Sequence, residues 1–243
     1  MLLAIDVGNT KVKAAVFENN TLLHKAVFNL NAFKPEIEEI LKAYPSIKEL
    51  IVASVSKLEK DAFLHFNTKL KVHFITRDYN YPFQNLYSSP NTLGIDRLVL
   101  AAGAVLNYPK QNRLIIDAGT CVTYDFIDEN DNYLGGAISP GIRLRYEALH
   151  NYTANLPLLT KEEPKNTIGN STNQSIHSGV VNGLTLEIDG FINSYSDSYK
   201  NFIIILTGGD SEFLVNRLKN NIFANQNFLL ESLNQLFQYN QND

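Results

Sequence analysis

The opening residues are apolar except for Asp6, and the polar triplet Gly8-Asn9-Thr10 closes the run. Two more extended stretches, Val12 to Phe17 and Leu22 to Phe28, flank the turn Glu18-Asn19-Asn20, so the pattern predicts a strand followed by a hairpin. From Pro35 to Tyr44 the period changes: Ile37, Ile40, Leu41 and Tyr44 recur at helical spacing, and Leu50 to Val55 then reads as a buried strand. A second helix is expected over 57–70 and another strand over Val72 to Ile75. Strands alternating with helices favour α/β layers. Residues 77–93, rich in Tyr, Asn, Ser and Pro, have no clear period and read as an ordered loop ahead of a helix from Ile95 to Leu106.

The pattern then repeats itself. Ile5-Asp6-x-Gly8 is echoed by Ile116-Asp117-x-Gly119, 111 positions later, and each is followed by a strand candidate, a polar turn and a further extended segment. Such an echo implies a duplicated domain, with a boundary near Pro109 to Asn112, a first domain at 1–110 and a second at 111–243. The second continues with an irregular stretch at 150–171, a helix near 173–195, the strand Phe202 to Leu206, the turn Gly208-Gly209 and two helical segments. Length alone, 243 residues with 44% hydrophobic content, fits one large domain or two small ones.

Charge narrows the partners. There are 21 basic and 25 acidic residues, massed in no tract, which argues against nucleic acid or an anionic membrane surface as the main partner. No apolar run approaches the roughly 20 residues of a membrane span. The start carries no basic segment of a secretory signal, and a cytoplasmic location is expected. Cys121 is the only cysteine, which excludes an intrachain disulfide and a multi-cysteine zinc site, and it is expected to pack in the core. His24, His65, His73, His150 and His177 have no metal-ligand spacing.

The echoed segments carry the chemistry. Asp6-Val7-Gly8-Asn9-Thr10-Lys11-Val12-Lys13 sets an acid at a strand end, then a residue without a side chain, two polar groups and two lysines. A polyphosphate needs backbone N–H groups at close range, cations for its charge and a carboxylate for its magnesium. A tight hairpin capped by Asp6 would need the same residues. The lysines fall on a strand, so this is not a G-x-x-x-x-G-K-[ST] loop. Asp117-Ala118-Gly119-Thr120 supplies a second acid, glycine and hydroxyl, which duplication would set facing the first turn across an interdomain cleft. Thr207-Gly208-Gly209-Asp210 could lie against a nucleoside or be an ordinary strand-to-helix turn with Asp210 as cap. Gly94-Ile95-Asp96-Arg97 could supply a base and an anion grip, or merely a capped helix start with Arg97 in a surface ion pair.

In their order these motifs resemble the type III pantothenate kinases of the acetate kinase, sugar kinase, Hsp70 and actin superfamily. Asp6-x-Gly8-Asn9-Thr10-x-x-Lys13 is similar to the family's first phosphate motif, and Asn85-x-Tyr87-x-x-Pro90-x-x-Leu93-Gly94-x-Asp96-Arg97 to its substrate motif. Asp117-x-Gly119-Thr120, Gly135-Gly136-x-Ile138-x-Pro140-Gly141, Leu156-Pro157 and Thr172-x-x-Ser175-Ile176-x-x-Gly179 continue the likeness. Two positions depart from it: Asn170, where a basic residue is usual, and Ser171, where Asn or Asp is.

The resemblance implies duplicated actin-like (ribonuclease H-like) domains and ATP-dependent phosphorylation of pantothenate in coenzyme A biosynthesis. It implies ATP with Mg²⁺ on Asp6, Val7, Gly8, Asn9, Thr10, Lys11, Val12, Lys13 and Thr120. Pantothenate falls to Tyr87, Gly94, Ile95, Asp96, Arg97 and Thr172, with Asp96 the catalytic base, and K⁺ or NH₄⁺ falls to Asp117. It also implies a homodimer, for which the face Ile176, Val180, Leu184, Ile188 could serve as well as for core packing. Another small-molecule kinase of the superfamily, or a nucleotide-dependent regulatory or assembly protein, remains an alternative.

Overall fold

The protein is described by a computed structural model covering residues 1–8, 11–54, 63, 66 and 70–241. Its residues group into two compact units: Met1–Pro109 with Asp131–Tyr133 and Asn227–Asp243, and Lys110–Asn130 with Leu134–Gln226.

In the first unit β1 (Leu2–Val7), β2 (Lys11–Glu18) and β3 (Thr21–Asn29) are followed by α1 (Phe33–Ala43), β4 (Glu49–Ser54) and β5 (Lys71–Phe74), in the sheet order β3-β2-β1-β4-β5. β2 lies antiparallel to β1, while β4 lies parallel to it. Every side chain of β1 is buried, as a central strand covered on both faces requires. Leu3, Ile5 and Val7 join Phe33, Ile37 and Ile40 of α1 in one apolar cluster, with Phe33 edge-on to Phe63 at 4.9 Å. Successive strand residues alternate faces, so Asp6 falls on the side away from that cluster.

The second unit repeats the plan. β7 (Asn112–Ala118), β8 (Cys121–Ile127), β9 (Asn132–Pro140, whose first two residues group with the first unit), β10 (Phe202–Thr207) and β11 (Phe223–Ala224) take the order β11-β10-β7-β8-β9, and the two-residue strand β6 (Gln84–Asn85) adds a sixth member on β9. Apart from β6, this matches the first sheet strand for strand. Asp117 is the penultimate residue of β7 as Asp6 is of β1, and it too falls opposite the main cluster, here Leu114, Ile116 and Ala118 against the helices. Those helices are α3 (Ile142–Asn151) and a long helical run made of α4 (Thr172–His177), a π-helical turn at Ser178–Asn182 and α5 (Gly183–Ser198).

The predicted strands and helices are found within one to three residues, and the duplication is visible in the topology. The predicted helix over 57–70 lies almost wholly outside the described residues. Three features differ from expectation. The C-terminal helix α7 (Phe228–Tyr239), which follows the short α6 (Ser211–Val215), belongs to the first unit and not the second. It packs on α2 (Ile95–Asn107), where Gly103 leaves room for Ser232: a Cβ there would stand 1.8 Å from the serine Oγ. Cys121 is exposed and not in the core, because it opens β8 directly after the Gly119-Thr120 turn. Ile176, Val180, Leu184 and Ile188 are all buried in the second unit's own core, so that face is core packing.

Candidate active site

In the first unit the turn after β1 is closed by the N–H of Gly8 donating to the carbonyl of Lys11 at 3.1 Å. Pairing of β1 with β2 sets Asp6 opposite Lys13, and their charged atoms stand 3.8 Å apart. Asp6 is therefore a buried carboxylate beside a half-buried ammonium, and Lys11 points outward at the strand's start. Val7 and Val12 are wholly buried, so only their backbone groups can serve a ligand. Asn9 and Thr10 lie outside the described residues.

Further along this unit, the structure brings Tyr87, Gly94, Asp96 and Arg97 together. Gly94 is the N-cap of α2 and Asp96 lies in its first turn, where the helix dipole favours negative charge. The Asp96 carboxylate accepts the N–H of Arg97 at 2.9 Å, and it occupies the space that a side chain at 94 would need: a Cβ on Gly94 would lie 2.4 Å from its Oδ1. Arg97 is 6% exposed, with its guanidinium carbon 5.7 Å from the centre of the Tyr87 ring, within cation–π range. It is therefore buried and not at the surface. Ile95 is buried and contributes backbone alone. The preceding turn is propped by Arg77, whose Nε donates to the carbonyl of Leu93 at 3.0 Å.

The second unit builds its own turn. Gly119 N–H donates to the carbonyl of Cys121 at 2.9 Å, leaving Thr120 exposed at the tip. Two other glycines pack against this turn. A Cβ at Gly141 would sit 2.2 Å from the carbonyl oxygen of Gly119. At Gly208, where φ is +94°, it would sit 2.4 Å from both Ala118 O and the Asp117 carboxylate. Asp210 N–H donates to Ala118 O at 2.9 Å, so the Gly208-Gly209-Asp210 turn is fastened to the Asp117 strand end. Asp210 is the N-cap of α6 without a side-chain cap bond; its carboxylate instead meets Lys161 at 2.6 Å.

A cavity of about 380 Å³ adjoins Asp210, lined also by Ile142, Tyr146, Leu158, Leu159 and Lys161. A larger groove of about 520 Å³ along Asn201–Ile204 and Asn221–Phe223 contains none of the motif residues. Lys161 and Arg217 each stand 4.8 Å from the Phe213 ring, and Arg217 also meets Glu163 at 2.7 Å. These side chains were not singled out from sequence, because an aperiodic stretch gives no sign of what it folds onto. Thr172 opens α4 and is exposed; the preceding Ser171 is the N-cap, accepting the N–H of Gln174 at 3.4 Å, a task Asn or Asp would also fill.

The turn of Gly141 is held from behind by a polar network. Arg145 donates through Nε to the carbonyl of Pro140 and through Nη2 to Ser139 Oγ and Glu187, and the Tyr124 hydroxyl donates to Glu187 at 3.0 Å. Burial works to raise the Glu187 carboxyl, but hydrogen bonds with Ser139, Arg145 and Tyr124 and the Arg145 charge outweigh it and hold the group below its ordinary range. Burial, followed by the Glu187 charge, raises the Tyr124 phenol.

Comparison with known proteins adds kinship to this geometry. The family model of the type III pantothenate kinases matches residues 2–194. A type III pantothenate kinase of Flavobacterium johnsoniae is 64% identical over 239 residues, 98% of each chain. Among solved structures, a Campylobacter jejuni Baf family protein shares 21% identity at a TM-score of 0.65, covering 99% of this chain and 100% of its own. The activator of 2-hydroxyisocaproyl-CoA dehydratase from Clostridium difficile, solved with bound ADPNP, reaches a TM-score of 0.55 at 12% identity, over 99% and 96% of the two chains. These last two likenesses are of fold, the duplicated actin-like ATPase fold.

Proposed function

The chain belongs to the type III pantothenate kinase family, and from that premise we propose that it transfers the γ-phosphoryl group of ATP to the primary hydroxyl of pantothenate, opening coenzyme A biosynthesis. The observation that carries this reading at the site is the cluster of Asp96, Arg97 and Tyr87 around the start of α2. Arg97 and Tyr87 hold the acceptor, the guanidinium meeting its carboxylate. Asp96 takes the proton from the hydroxyl, which is far too weak an acid to ionise unaided near neutral pH. Phosphoryl transfer is otherwise a matter of positioning and of stabilising charge on the phosphate oxygens.

ATP lies on the residues from Asp6 to Lys13 and on Thr120, with Gly8 and Gly119 admitting phosphate close to the backbone. The cavity beside Asp210 suits the nucleoside: it has apolar walls and a charged rim. Asp6, a hard oxygen donor at a strand end, suits magnesium, which when bound neutralises charge on the phosphates. Asp117, a carboxylate at a strand end with the Gly208 backbone packed close beside it, is the residue proposed to hold a large monovalent cation. The proposal extends to a cytoplasmic homodimer in which Thr172 helps to hold the acceptor. Among the described residues no helix is long and apolar enough to cross a membrane.

A coupled assay of ADP release tests the reading. Release should depend on pantothenate and stay at background with sugars in its place. Sugar-dependent release without a response to pantothenate would transfer the chain to another acceptor class, and no acceptor-dependent release at all would leave the kinase reading without support.

A further inference from the structure

Tyr87 sits at the end of a segment with little structure of its own. The strand before it, β6 (Gln84–Asn85), has two residues, too few to hold a position unaided. It is fixed instead by residues 131–133, which group with the first unit although they lie far along the chain. β6 pairs in parallel with Asn132 and Tyr133 at the start of β9, through Gln84 N–H to the carbonyl of Asp131 at 2.9 Å and Leu86 N–H to that of Tyr133 at 3.0 Å. The chain then turns on Asn85, whose Oδ1 accepts the N–H of Tyr87 at 3.0 Å. Tyr133, wholly buried, places its ring 6.1 Å from that of Tyr87 at 61° and 6.0 Å from that of Phe83. Phe83 in turn meets Tyr81 at 5.3 Å, and Tyr81 meets Tyr79 at 6.2 Å.

The aperiodic loop is thus a ladder of rings that closes on Tyr133 and leads through Tyr87 to the Arg97 guanidinium. Edge-to-face rings at this separation attract one another and fix each other's orientation. We propose that Tyr133 is a positioning residue for the acceptor. It holds the Tyr87 ring, and through it Arg97, in the arrangement that grips an anionic, hydroxyl-bearing substrate, while touching neither the substrate nor the transferred group. The proposal rests on the acceptor reading given above for Tyr87 and Arg97.

Steady-state kinetics of Tyr133→Leu, Tyr133→Phe and Asn85→Ala test it. Tyr133→Leu should raise KM for pantothenate about three- to tenfold, the change that loss of one aromatic pair converts to, with kcat and KM for ATP little altered. Tyr133→Phe, which keeps the ring, should restore the wild-type value. Asn85→Ala reaches the same ring from an exposed position that the core does not depend on, and should give a similar rise. In a Tyr87→Ala background Tyr133→Leu should add almost nothing. A loss of kcat and of both affinities together, or an additive effect in that background, would mean a general weakening of the unit and overturn the proposal. If the wild type does not phosphorylate pantothenate, the acceptor reading falls, but the positioning is still read by the ¹⁵Nε resonance of Arg97. That resonance senses the Tyr87 ring current and should move alike in Tyr133→Leu and Tyr87→Ala. An unmoved resonance in Tyr133→Leu would overturn the proposal whatever the acceptor.

Discussion

The Asp96 carboxylate, proposed as the base, accepts the Arg97 N–H on one oxygen, and Gly94 leaves that oxygen the space a side chain would take. Asparagine is isosteric and can accept the same N–H, so Asp96→Asn removes the base and leaves the helix start intact. It should bind ATP as the wild type does yet turn over about 10²-fold more slowly or worse, the usual contribution of a general base. Turnover close to wild type in a stopped assay of phosphopantothenate would remove Asp96 from that role.

Among the elements, the two βββ openings were legible because burial on both faces leaves a long apolar run with one misplaced acid, and the same misplacement occurs twice. What sequence could not give was the partner of each amphipathic segment. The stripe Leu229, Leu230, Leu233, Leu236 of α7 fits any core, and only the notch at Gly103 decides which. Nor did it mark Arg145 and Glu187, which lie 42 positions apart and tie α3, α5 and the end of β9 behind Gly141. Because the folded state holds the Glu187 carboxyl below its unfolded value of about 4.3, its contribution is fully present above that pH and is lost as pH falls through the folded value. Glu187→Gln should therefore lower the melting temperature at pH 7, and the gap to wild type should close as pH drops below about 4. A gap constant from pH 7 to pH 3 in calorimetry would show that the charge of Glu187 does not matter.

At the scale of the molecule, two properties follow from the proposed cofactors and partners. Activity with magnesium and ATP should require K⁺ or NH₄⁺ and be poor when Na⁺ is the sole monovalent cation, if Asp117 holds the ion proposed for it. Full activity in potassium-free sodium buffer would withdraw that ion. The protein should sediment as a dimer at assay concentrations, and Thr172→Ala should raise KM for pantothenate several-fold while sparing that for ATP. A fully active monomer in analytical ultracentrifugation would sink the dimer.

The return of α7 to the first unit bears on how the protein is made. The first unit's sheet leaves the ribosome early, but the helix that covers the Gly103 side of α2 is translated after the whole of 110–226. At about 5–20 residues per second that interval is on the order of ten seconds, during which α2 lacks the helix that packs on it. A chain ending before Asn227 would therefore lack the helix that covers α2, and the first unit would be left with the Gly103 side of α2 uncovered.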